Sequence, residues 1–464
     1  MSDIRFNRWL HQSGTGGIYQ DSSGNIGIGT SVPRSALDVQ SGFISVGENV
    51  LSASGVSTFT TVNATTFTGN LTGNVTGNLT GTASTATAAA TAYGLSGSPT
   101  LSGITSVSTT NLTVNGNAYP SAGPLSNRNL IYNGAMQVWQ RGTSTASVTG
   151  NEYYSADRFR NVTISAGTWT LSKSTEVPTG QGFAASLKYD CTTANAALGT
   201  GNILSLEQRF EGQDMQSLKK GTANAESLTL SFWVRSNKTG TYIAELRDDD
   251  NNRTIAKSYT INASNTWEKK VLTFPGDTTG ALDNDNALSF YVNLWLAAGT
   301  DYSSGTLATS WGTRVNANRA VGQVNLADST SNEWYITGVQ LEVGSVATPF
   351  EHRSYGDDLA RCIRYFRKHQ SIIASAGGYT DLIMTTVTFD PPMRTGPSVD
   401  VTGAIQVTAP GIANYNQSSA GITQSNYTTA HGIFFYLPNY SGLTNHRTYI
   451  WNDSSDTITF SAEL

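Results

Sequence analysis

The sequence has little charge, little cysteine and no long apolar run. Only 13% of its 464 residues are charged, and its two cysteines, Cys191 and Cys362, stand far apart. Two separate cysteines exclude a disulfide framework and predict two buried thiols. The lack of about eighteen consecutive apolar residues predicts no membrane insertion. The first residues contain no apolar segment of signal-peptide length, which predicts synthesis in a cytoplasm.

The sequence also lacks the motifs that carry catalysis. No nucleophile elbow, phosphate-binding loop or zinc-protease motif occurs, and the histidines never fall at metal-ligand spacing (His11, His352, His369, His431, His446). We therefore expect no enzyme, no metal and no cofactor. The formal net charge of -5 gives no basic surface, which argues against nucleic acid as a partner.

Two weaker alternatives rest on acidic residues. Sugar hydrolysis would need two carboxylates across a cleft, and the available set is Asp283, Asp285, Asp301, Glu333 and Glu342. Carboxylates in loops are usually only solvated, so we favour binding over hydrolysis. The acidic run at residues 248–252 could hold Ca²⁺ through oxygen atoms. Its spacing is not that of a calcium loop, and a polar hairpin turn is the favoured interpretation.

Residues 67–81, FTGNLTGNVTGNLTG, repeat with a period of four. A glycine at every fourth position disfavours a helix. In an extended chain this period places the apolar residues Phe67, Leu71, Val75 and Leu79 on one face. A lone strand cannot bury them, so the pattern predicts a homotrimer with these four residues along its axis.

The region around this repeat is uncharged. Residues 49–127 contain no Asp, Glu, Lys, Arg or His, so identical chains can lie in register without repulsion between like charges. We predict a thin triple-stranded β shaft over residues 41–125. The alternative is a flexible linker, but a linker has no reason to keep an apolar residue at a fixed period.

The first forty residues are predicted to be a docking segment. Arg5, Phe6, Arg8 and Trp9 are of types that are enriched at protein interfaces. The alternative is a frayed tail, although such tails seldom carry tryptophan.

The composition changes after residue 125, and seven of the nine tryptophans lie in residues 126–351. Apolar residues alternate with period two in residues 228–234, 242–246 and 288–296, with turn-forming clusters between these runs. This pattern predicts a mainly β chain with a jelly-roll β-sandwich over residues 126–352.

A short helix and a terminal β domain are predicted over residues 353–464. Leu359, Cys362, Ile363 and Phe366 have helical spacing. The opposite face and the last turn are cationic (Arg361, Arg364, Arg367, Lys368, His369), and we interpret this face as solvated or as a subunit contact. Strand-like runs then return as far as residue 464.

Several segments resemble those of phage structural proteins. Residues 25–39, NIGIGTSVPRSALDV, resemble a motif near the start of bacteriophage tail fibres and other appendages. The Thr-Gly-Asn repeat is similar to shafts in fibres of phages of marine cyanobacteria. Residues 129–144, 153–160, 228–236 and 334–362 resemble a carbohydrate-binding-like sandwich of phage tail proteins, and residues 389–399 resemble a terminal domain of phage structural proteins.

This resemblance implies an elongated, trimeric tail fibre on the virion, assembled in the host cytoplasm. The N-terminus would attach to a tail, baseplate or adaptor protein, and the C-terminal β domains would recognise a host surface glycan. The alternatives are a non-adhesive spacer or head fibre, and a sugar-cleaving tailspike.

Exposed aromatic rings are the natural candidates for sugar contact, because their faces stack on sugar rings. The candidates are Trp295, Tyr302, Trp311, Tyr415 and Tyr427. The alternative is that these rings fill the sandwich core or a trimer interface.

Overall fold

The computed structural model describes residues 8–10, 17–39, 113–114, 117–118, 123–369, 373–375, 379–409, 411–451 and 456–464. The chain divides into two compact units, Met1–Leu101 and Ser102–Leu464. The regular structure of the described residues in both units is mainly β-strand. Within these ranges no helix has both the length and the apolar character needed to cross a bilayer.

The described part of the first unit is a four-stranded sheet in the order β1-β2-β3-β4. Its strands are β1 (Arg8–Leu10), β2 (Gly17–Gln20), β3 (Ile26–Ile28) and β4 (Leu37–Val39). The turn between β2 and β3 forms because Asp21 Oδ1 accepts hydrogen bonds from the amides of Ser23 and Asn25, both at 2.9 Å. Gly24, at φ +88°, completes that turn in a conformation that favours glycine.

Most of the predicted shaft and docking residues lie outside the described residues. This applies to Phe67, Leu71, Val75 and Leu79, and to Arg5 and Phe6. Arg8 and Trp9 lie in β1, and their docking role remains a prediction. The homotrimer and the triple-stranded shaft likewise remain predictions.

The first described residues of the second unit form a small antiparallel pair, β5 (Thr113–Val114) and β6 (Asn117–Ala118). Two six-stranded sheets follow. Their strands are β7 (Ser144–Val148), β8 (Arg160–Ile164), β9 (Thr168–Ser174), β10 (Ser186–Thr193), β11 (Ile203–Glu211), β12 (Leu228–Ser236), β13 (Gly240–Asp248), β14 (Arg253–Ile261), β15 (Glu268–Phe274), β16 (Leu288–Ala298), β17 (Gly312–Thr313) and β18 (Glu333–Val343).

We call these sheets the front sheet, β15-β12-β18-β10-β9-β7, and the back sheet, β17-β14-β13-β16-β11-β8. The strands within each sheet are antiparallel. Their inward side chains share one hydrophobic core, in which Phe232 and Trp334 come from the front sheet and Phe290 from the back sheet. The three predicted period-two runs lie in β12, β13 and β16, and the prediction of these strands is confirmed.

Helical segments are short. They are α1 (Thr300–Ser303), α2 (Tyr355–Ile363) and the 3-10 turns Gly212–Leu218, Asn316–Asn318 and Leu326–Asp328. Helix α2 begins after Ser354, whose hydroxyl accepts a hydrogen bond from the Asp357 amide at 3.1 Å. The predicted extension of this helix through Phe366 is wrong, because residues 366–369 form a strand instead.

The C-terminal region, which we call the tip, contains ten strands among the described residues: β19 (Phe366–His369), β20 (Ile373–Ser375), β21 (Ile383–Thr388), β22 (Ser398–Thr402), β23 (Gln406–Ala409), β24 (Ala413–Asn416), β25 (Thr423–Thr429), β26 (Gly432–Leu437), β27 (Thr448–Trp451) and β28 (Thr457–Ser461). They form a three-stranded sheet, β19-β28-β22, and a seven-stranded sheet, β24-β23-β27-β20-β21-β26-β25. A separate core that includes Phe435 and Phe460 stabilises the tip.

Candidate functional site

A cleft of about 290 Å³ lies on the outer face of the front sheet. Side chains alternate between the faces of a strand, and Phe232 and Val234 of β12 point into the core. Ser231 and Trp233 therefore point outward, into the cleft. The cleft is lined by Gly180, Gln181, Phe183, Ser231, Trp233, Lys269, Gly338, Pro349, Phe350 and His352.

One wall of the cleft is aromatic. The Phe183 ring lies 5.0 Å from the Phe350 ring at an interplanar angle of 71° and 5.3 Å from the His352 ring. Phe350 and His352 are themselves 4.8 Å apart. The two edge-to-face contacts, those of Phe350 with Phe183 and with His352, are of a kind that is favourable between rings. They hold three rings, from two separate segments of the chain, as one surface.

A β-bulge shapes the floor of the cleft. The register between β12 and β18 shifts between Ser231 and Trp233, opposite Gly338. Gly338 has φ +62°, and a Cβ atom there would lie 2.6 Å from Cζ of Phe183. Only glycine lets the Phe183 ring lie against the strand, and bulges of this kind re-aim neighbouring side chains.

The cleft combines aromatic surface with hydrogen-bonding groups. Trp233 is half-buried and faces Lys269 of β15 on one side and Thr337 of β18 on the other. Lys269 is exposed at the rim, and Gln181 is exposed beside the Phe183 wall. A few polar groups around ring faces are the arrangement that orients a sugar or another small polar ligand.

The same outer face carries a second aromatic pair. Trp267 and Tyr335 lie 6.2 Å apart, and the Arg235 guanidinium lies 4.7 Å from the Tyr335 ring centre. The Tyr335 hydroxyl donates to Glu333 Oε2 at 2.7 Å. Burial raises the pKa of Tyr335, and its hydrogen bond to Glu333 raises that pKa further. Tyr335 therefore remains a neutral donor at physiological pH.

Trp295, predicted to contact sugar, is buried. It is 1% exposed on the outer side of the back sheet, where the Tyr302 ring lies 5.5 Å away and the Arg319 guanidinium 5.0 Å away. Its indole nitrogen donates to Glu245 Oε2 at 3.0 Å. The expectation of an exposed Trp295 is therefore wrong, because the segment after β16 folds over it.

Glu245 anchors that covering segment. Its fully buried carboxylate accepts two hydrogen bonds from Arg319, at 2.8 and 3.0 Å, and one from Thr254 at 2.7 Å. Burial alone would raise the pKa of Glu245, but the Arg319 charge and hydrogen bonds outweigh burial and lower it. This carboxylate is ionised and fully engaged in the structure.

The other predicted aromatics lie in separate places. Tyr302 is half-buried against Trp295, and Trp311 donates its indole N–H to the Pro275 carbonyl at 2.8 Å. In the tip, Tyr415 packs on Tyr449 with ring centres 5.4 Å apart, whereas Tyr427 is 77% exposed. The predicted residues do not converge on one site.

Sequence reasoning missed Phe183, Trp233, Phe350 and His352. A usable signal existed for Trp233, which takes the outward position between two core residues of β12. The glycine inside the apolar pattern of β18 could have indicated the bulge. Phe350 and His352 lie outside the strands and carry no local signal.

The candidate acidic residues lie in different surroundings. Asp283, Asp285 and Asp301 are exposed. Glu333 forms an ion pair with Lys188 at 2.6 Å, and buried Glu342 accepts from the Thr348 hydroxyl at 2.7 Å.

The acidic run forms the turn between β13 and β14, as the favoured interpretation predicted, and its Asp248 pairs with Lys220 at 2.5 Å. In the part of the chain that the structure describes, no group of three or more His, Cys, Asp or Glu is placed to hold a metal. Cys191 and Cys362 are buried free thiols, which confirms that prediction.

Solved structures that resemble parts of this chain include a phage tailspike domain and carbohydrate-binding modules. The enzymatically active domain of bacteriophage CBA120 tailspike protein 4 is 15% identical with a TM-score of 0.25, and the match covers 48% of this chain and 24% of that one. TmCBM61, in complex with β-1,4-galactotriose, is 10% identical with a TM-score of 0.22 and coverages of 47% and 99%.

A family 11 carbohydrate-binding module from Clostridium thermocellum, in complex with a β-1,3-1,4-mixed-linked tetrasaccharide, is 10% identical with a TM-score of 0.23. That match covers 44% of this chain and 98% of the module. In the tailspike comparison, by contrast, the matched part of this chain spans only about a quarter of the tailspike domain's length. No family model and no curated protein sequence matches the chain. Scores this low carry no argument about function, which must rest on the cleft itself.

Proposed function

We propose that this protein is a virion fibre that binds a host surface glycan through the cleft on the front sheet. The observation that carries the proposal is the convergence of the Phe183, Trp233 and Phe350 rings with exposed polar groups in one open cleft of about 290 Å³. Such a surface suits a sugar, whose C–H faces stack on rings while its hydroxyls bond to polar side chains.

The trimeric fibre is the finer part of the proposal. It rests on the sequence repeat with Phe67, Leu71, Val75 and Leu79, whose apolar side chains need sister chains for burial. Three copies of a weak site on one particle gain avidity through effective concentration. A shallow cleft of modest affinity is then enough for stable attachment to a cell.

The proposal also places this chain on the virion, with its N-terminal segment bound to a tail, baseplate or adaptor protein. Arg8 and Trp9 remain candidates for that contact. We propose binding without cleavage, since the carboxylates of Glu333 and Glu342 are both already engaged in hydrogen bonds. Release of reducing ends from a bound polysaccharide would contradict this.

The test uses the full-length protein and its Trp233→Ala variant. Both are applied to a panel of immobilised glycans and to susceptible cells, and bound protein is measured. Loss of a stacking ring should weaken binding about tenfold or more. The matched variant Tyr427→Ala removes an exposed ring from the tip and should keep full binding.

Two outcomes would contradict the proposal. If the Trp233→Ala variant binds as well as the wild type while Tyr427→Ala does not, the tip makes the contact and the cleft does not. If the wild-type protein binds neither glycans nor cells, the adhesive function fails and a non-adhesive spacer is favoured.

A further inference from the structure

A groove of about 600 Å³ lies between helix α2 and the segment of the tip that joins β21 to β22. Its walls carry three guanidinium groups, those of Arg353, Arg361 and Arg364. Pro391 and Pro392 form the facing apolar wall. This volume lies within the range of known small-ligand sites. The groove is separate from the aromatic cleft, although His352 of the cleft directly precedes Arg353.

The spacing of residues along α2 produces this wall. Asp357, Ala360, Arg361 and Arg364 stand at positions i, i+3, i+4 and i+7, which lie on one face of a helix. The helix ends at Ile363, so Arg364 extends the same face by one residue. Part of the cationic face seen in the sequence thus lines a groove.

Arg353 is held deep in the wall. Its side chain is 8% exposed, and its Nη1 donates to the Ile131 carbonyl at 2.9 Å. Its Nη2 donates to the Asn129 carbonyl and to Glu351, but its buried Nε has no hydrogen-bond partner among the described residues. A buried donor without a partner is costly, and here it belongs to a residue that lines the groove.

The arginine side chains around the groove differ in how fully their charges are paired with carboxylates. Arg364 makes two hydrogen bonds to Glu211, at 2.8 and 2.6 Å, yet its side chain remains 31% exposed. Arg361 donates to the Asn127 side-chain carbonyl at 3.1 Å and makes no ion pair within the described ranges. One of the three cations, that of Arg361, therefore has no ion pair within 4.0 Å among the described residues, and its charge acts on the buried Asp358 only from a longer distance.

The nearby carboxylates are already engaged. Glu351 accepts the amides of Arg128 and Asn129, both at 3.0 Å, and Asp357 accepts the Ser354 hydroxyl at 2.6 Å. The buried Asp358 lies 3.8 Å from Arg353 Nη1. Burial and the neighbouring Arg361 charge lower the pKa of Arg353. A bound oxyanion would relieve this repulsion.

We propose that this groove binds the carboxylate or phosphate group of an acidic saccharide. Guanidinium groups match both oxyanions through paired N–H donors. The proline wall offers an apolar surface to the sugar ring that carries the anion. This inference rests on the proposed function, to which it adds the chemical class of the ligand: an acidic rather than a neutral glycan.

The test is calorimetric titration of the full-length protein with matched probes. These are trigalacturonic acid, its fully methyl-esterified form, a phosphorylated trisaccharide and inorganic phosphate. One or both acidic trisaccharides should bind. The neutral ester should bind at least about tenfold more weakly than the acid. The affinity for the acidic sugar should fall as salt is added.

The variant Arg361→Gln removes the cation that forms no close ion pair among the described residues and should weaken acidic-sugar binding about tenfold. The control Lys173→Gln removes one positive charge from an exposed strand position and should change nothing. The proposal is overturned if neither acidic sugar binds, if acid and ester bind equally, or if Arg361→Gln has no effect. Equal binding of inorganic phosphate would reduce the site to that of a free anion, which also overturns it.

The Trp233→Ala variant separates the two proposals. If neutral glycans bind the wild type and lose affinity only in Trp233→Ala, the adhesive cleft stands while the groove proposal fails. If no glycan of either class binds, the proposed function itself has failed.

Discussion

Arg158 of the sandwich forms an ion pair with Glu463 at the C-terminal end of the tip. The Arg158 side chain is fully buried, and its guanidinium stacks 3.5 Å above the Tyr365 ring. Glu463 Oε1 also forms an ion pair with Arg141 Nη2 at 2.9 Å. Buried charges therefore join the sandwich to the tip.

This ion pair leads to a first prediction. Glu463→Gln leaves Arg158 as a buried cation without its anion, and such a loss costs about 3 kcal/mol or more. Urea denaturation of the full chain should show a corresponding fall in the free energy of unfolding. Glu152→Gln, at an exposed position, serves as control. An unchanged unfolding midpoint for Glu463→Gln would show that the pair contributes nothing.

Lys220 occupies an oxygen-lined cage. Its ammonium lies 2.5 Å from Asp248 Oδ2 and 3.1 Å from Asp277 Oδ2, with the carbonyls of Thr279 and Gly280 at 2.9 and 2.7 Å. The Trp311 ring lies 5.5 Å from it, which gives this predicted sugar contact a structural role. Burial alone would raise the pKa of Asp277, but hydrogen bonds from Arg253 and Lys220 lower it.

The second prediction concerns this cage. Lys220→Ala removes the internal cation and leaves two buried carboxylates and two carbonyls, the ligand types that Ca²⁺ prefers. The variant should lose about 3 kcal/mol of stability and regain part of it with millimolar Ca²⁺. Thermal unfolding in CaCl₂ and in EDTA measures this. The control is Lys219→Ala, because the Lys219 side chain is 54% exposed, and its thermal unfolding should be the same in CaCl₂ and in EDTA. A Lys220→Ala variant whose unfolding is insensitive to Ca²⁺ would contradict this prediction.

The sequence predicts strands well where burial follows the period of a strand. Leu228, Leu230 and Phe232 alternate in the sequence and point inward in β12, because the same face is buried along the whole strand. The prediction of the helix end was wrong because Phe366 pairs with Ser461, which lies in another strand far along the chain. Local spacing holds no information about such a partner.

The sequence predicts the chemistry of the candidate site, aromatic rings that stack on a sugar, but not which rings form it. Stacking rings were expected, but Trp295 has the same outward position on its strand as Trp233 has on β12. Only Trp295 is covered, by Arg319 and Tyr302 from the segment that follows β16. Which outward ring stays open depends on where distant loops fold, and one sequence does not reveal this.

The third prediction tests the bulge beneath the cleft. Gly338→Ala introduces a Cβ atom 2.6 Å from Phe183 Cζ at φ +62°, so the Phe183 wall must move. Backbone strain at positive φ costs about 1–2 kcal/mol. Gly411→Ala is the matched control, because Gly411 has φ +75° but no atom within 4 Å of the added carbon, and it does not line the cleft. Both variants should lose stability in urea, and only Gly338→Ala should lose glycan binding. Equal binding losses in the two variants would contradict the role of the bulge.

The fourth prediction concerns acid stability and rests on Glu268, at the start of β15. Its carboxylate accepts the amides of Asn262 and Ala263 at 2.8 and 2.9 Å and the Lys270 ammonium at 2.5 Å. Burial alone would raise the pKa of Glu268, but the hydrogen bonds from Lys270 and the turn amides outweigh burial and lower that pKa from 4.5 to about 2. The ionised form is thus favoured in the folded state.

A lowered pKa stabilises the fold above the unfolded-state value and loses that effect as the pH falls toward the folded-state value. The contribution of Glu268 should be complete above about pH 4.5 and disappear near pH 2. Glu268→Gln should therefore be less stable than the wild type by up to about 1 kcal/mol at pH 7, a value limited by solvent screening. The two proteins should converge near pH 2. Urea unfolding at both pH values measures the difference, with the exposed Glu176→Gln as control; a difference that persists unchanged in acid would mean that the charge of Glu268 is not its cause.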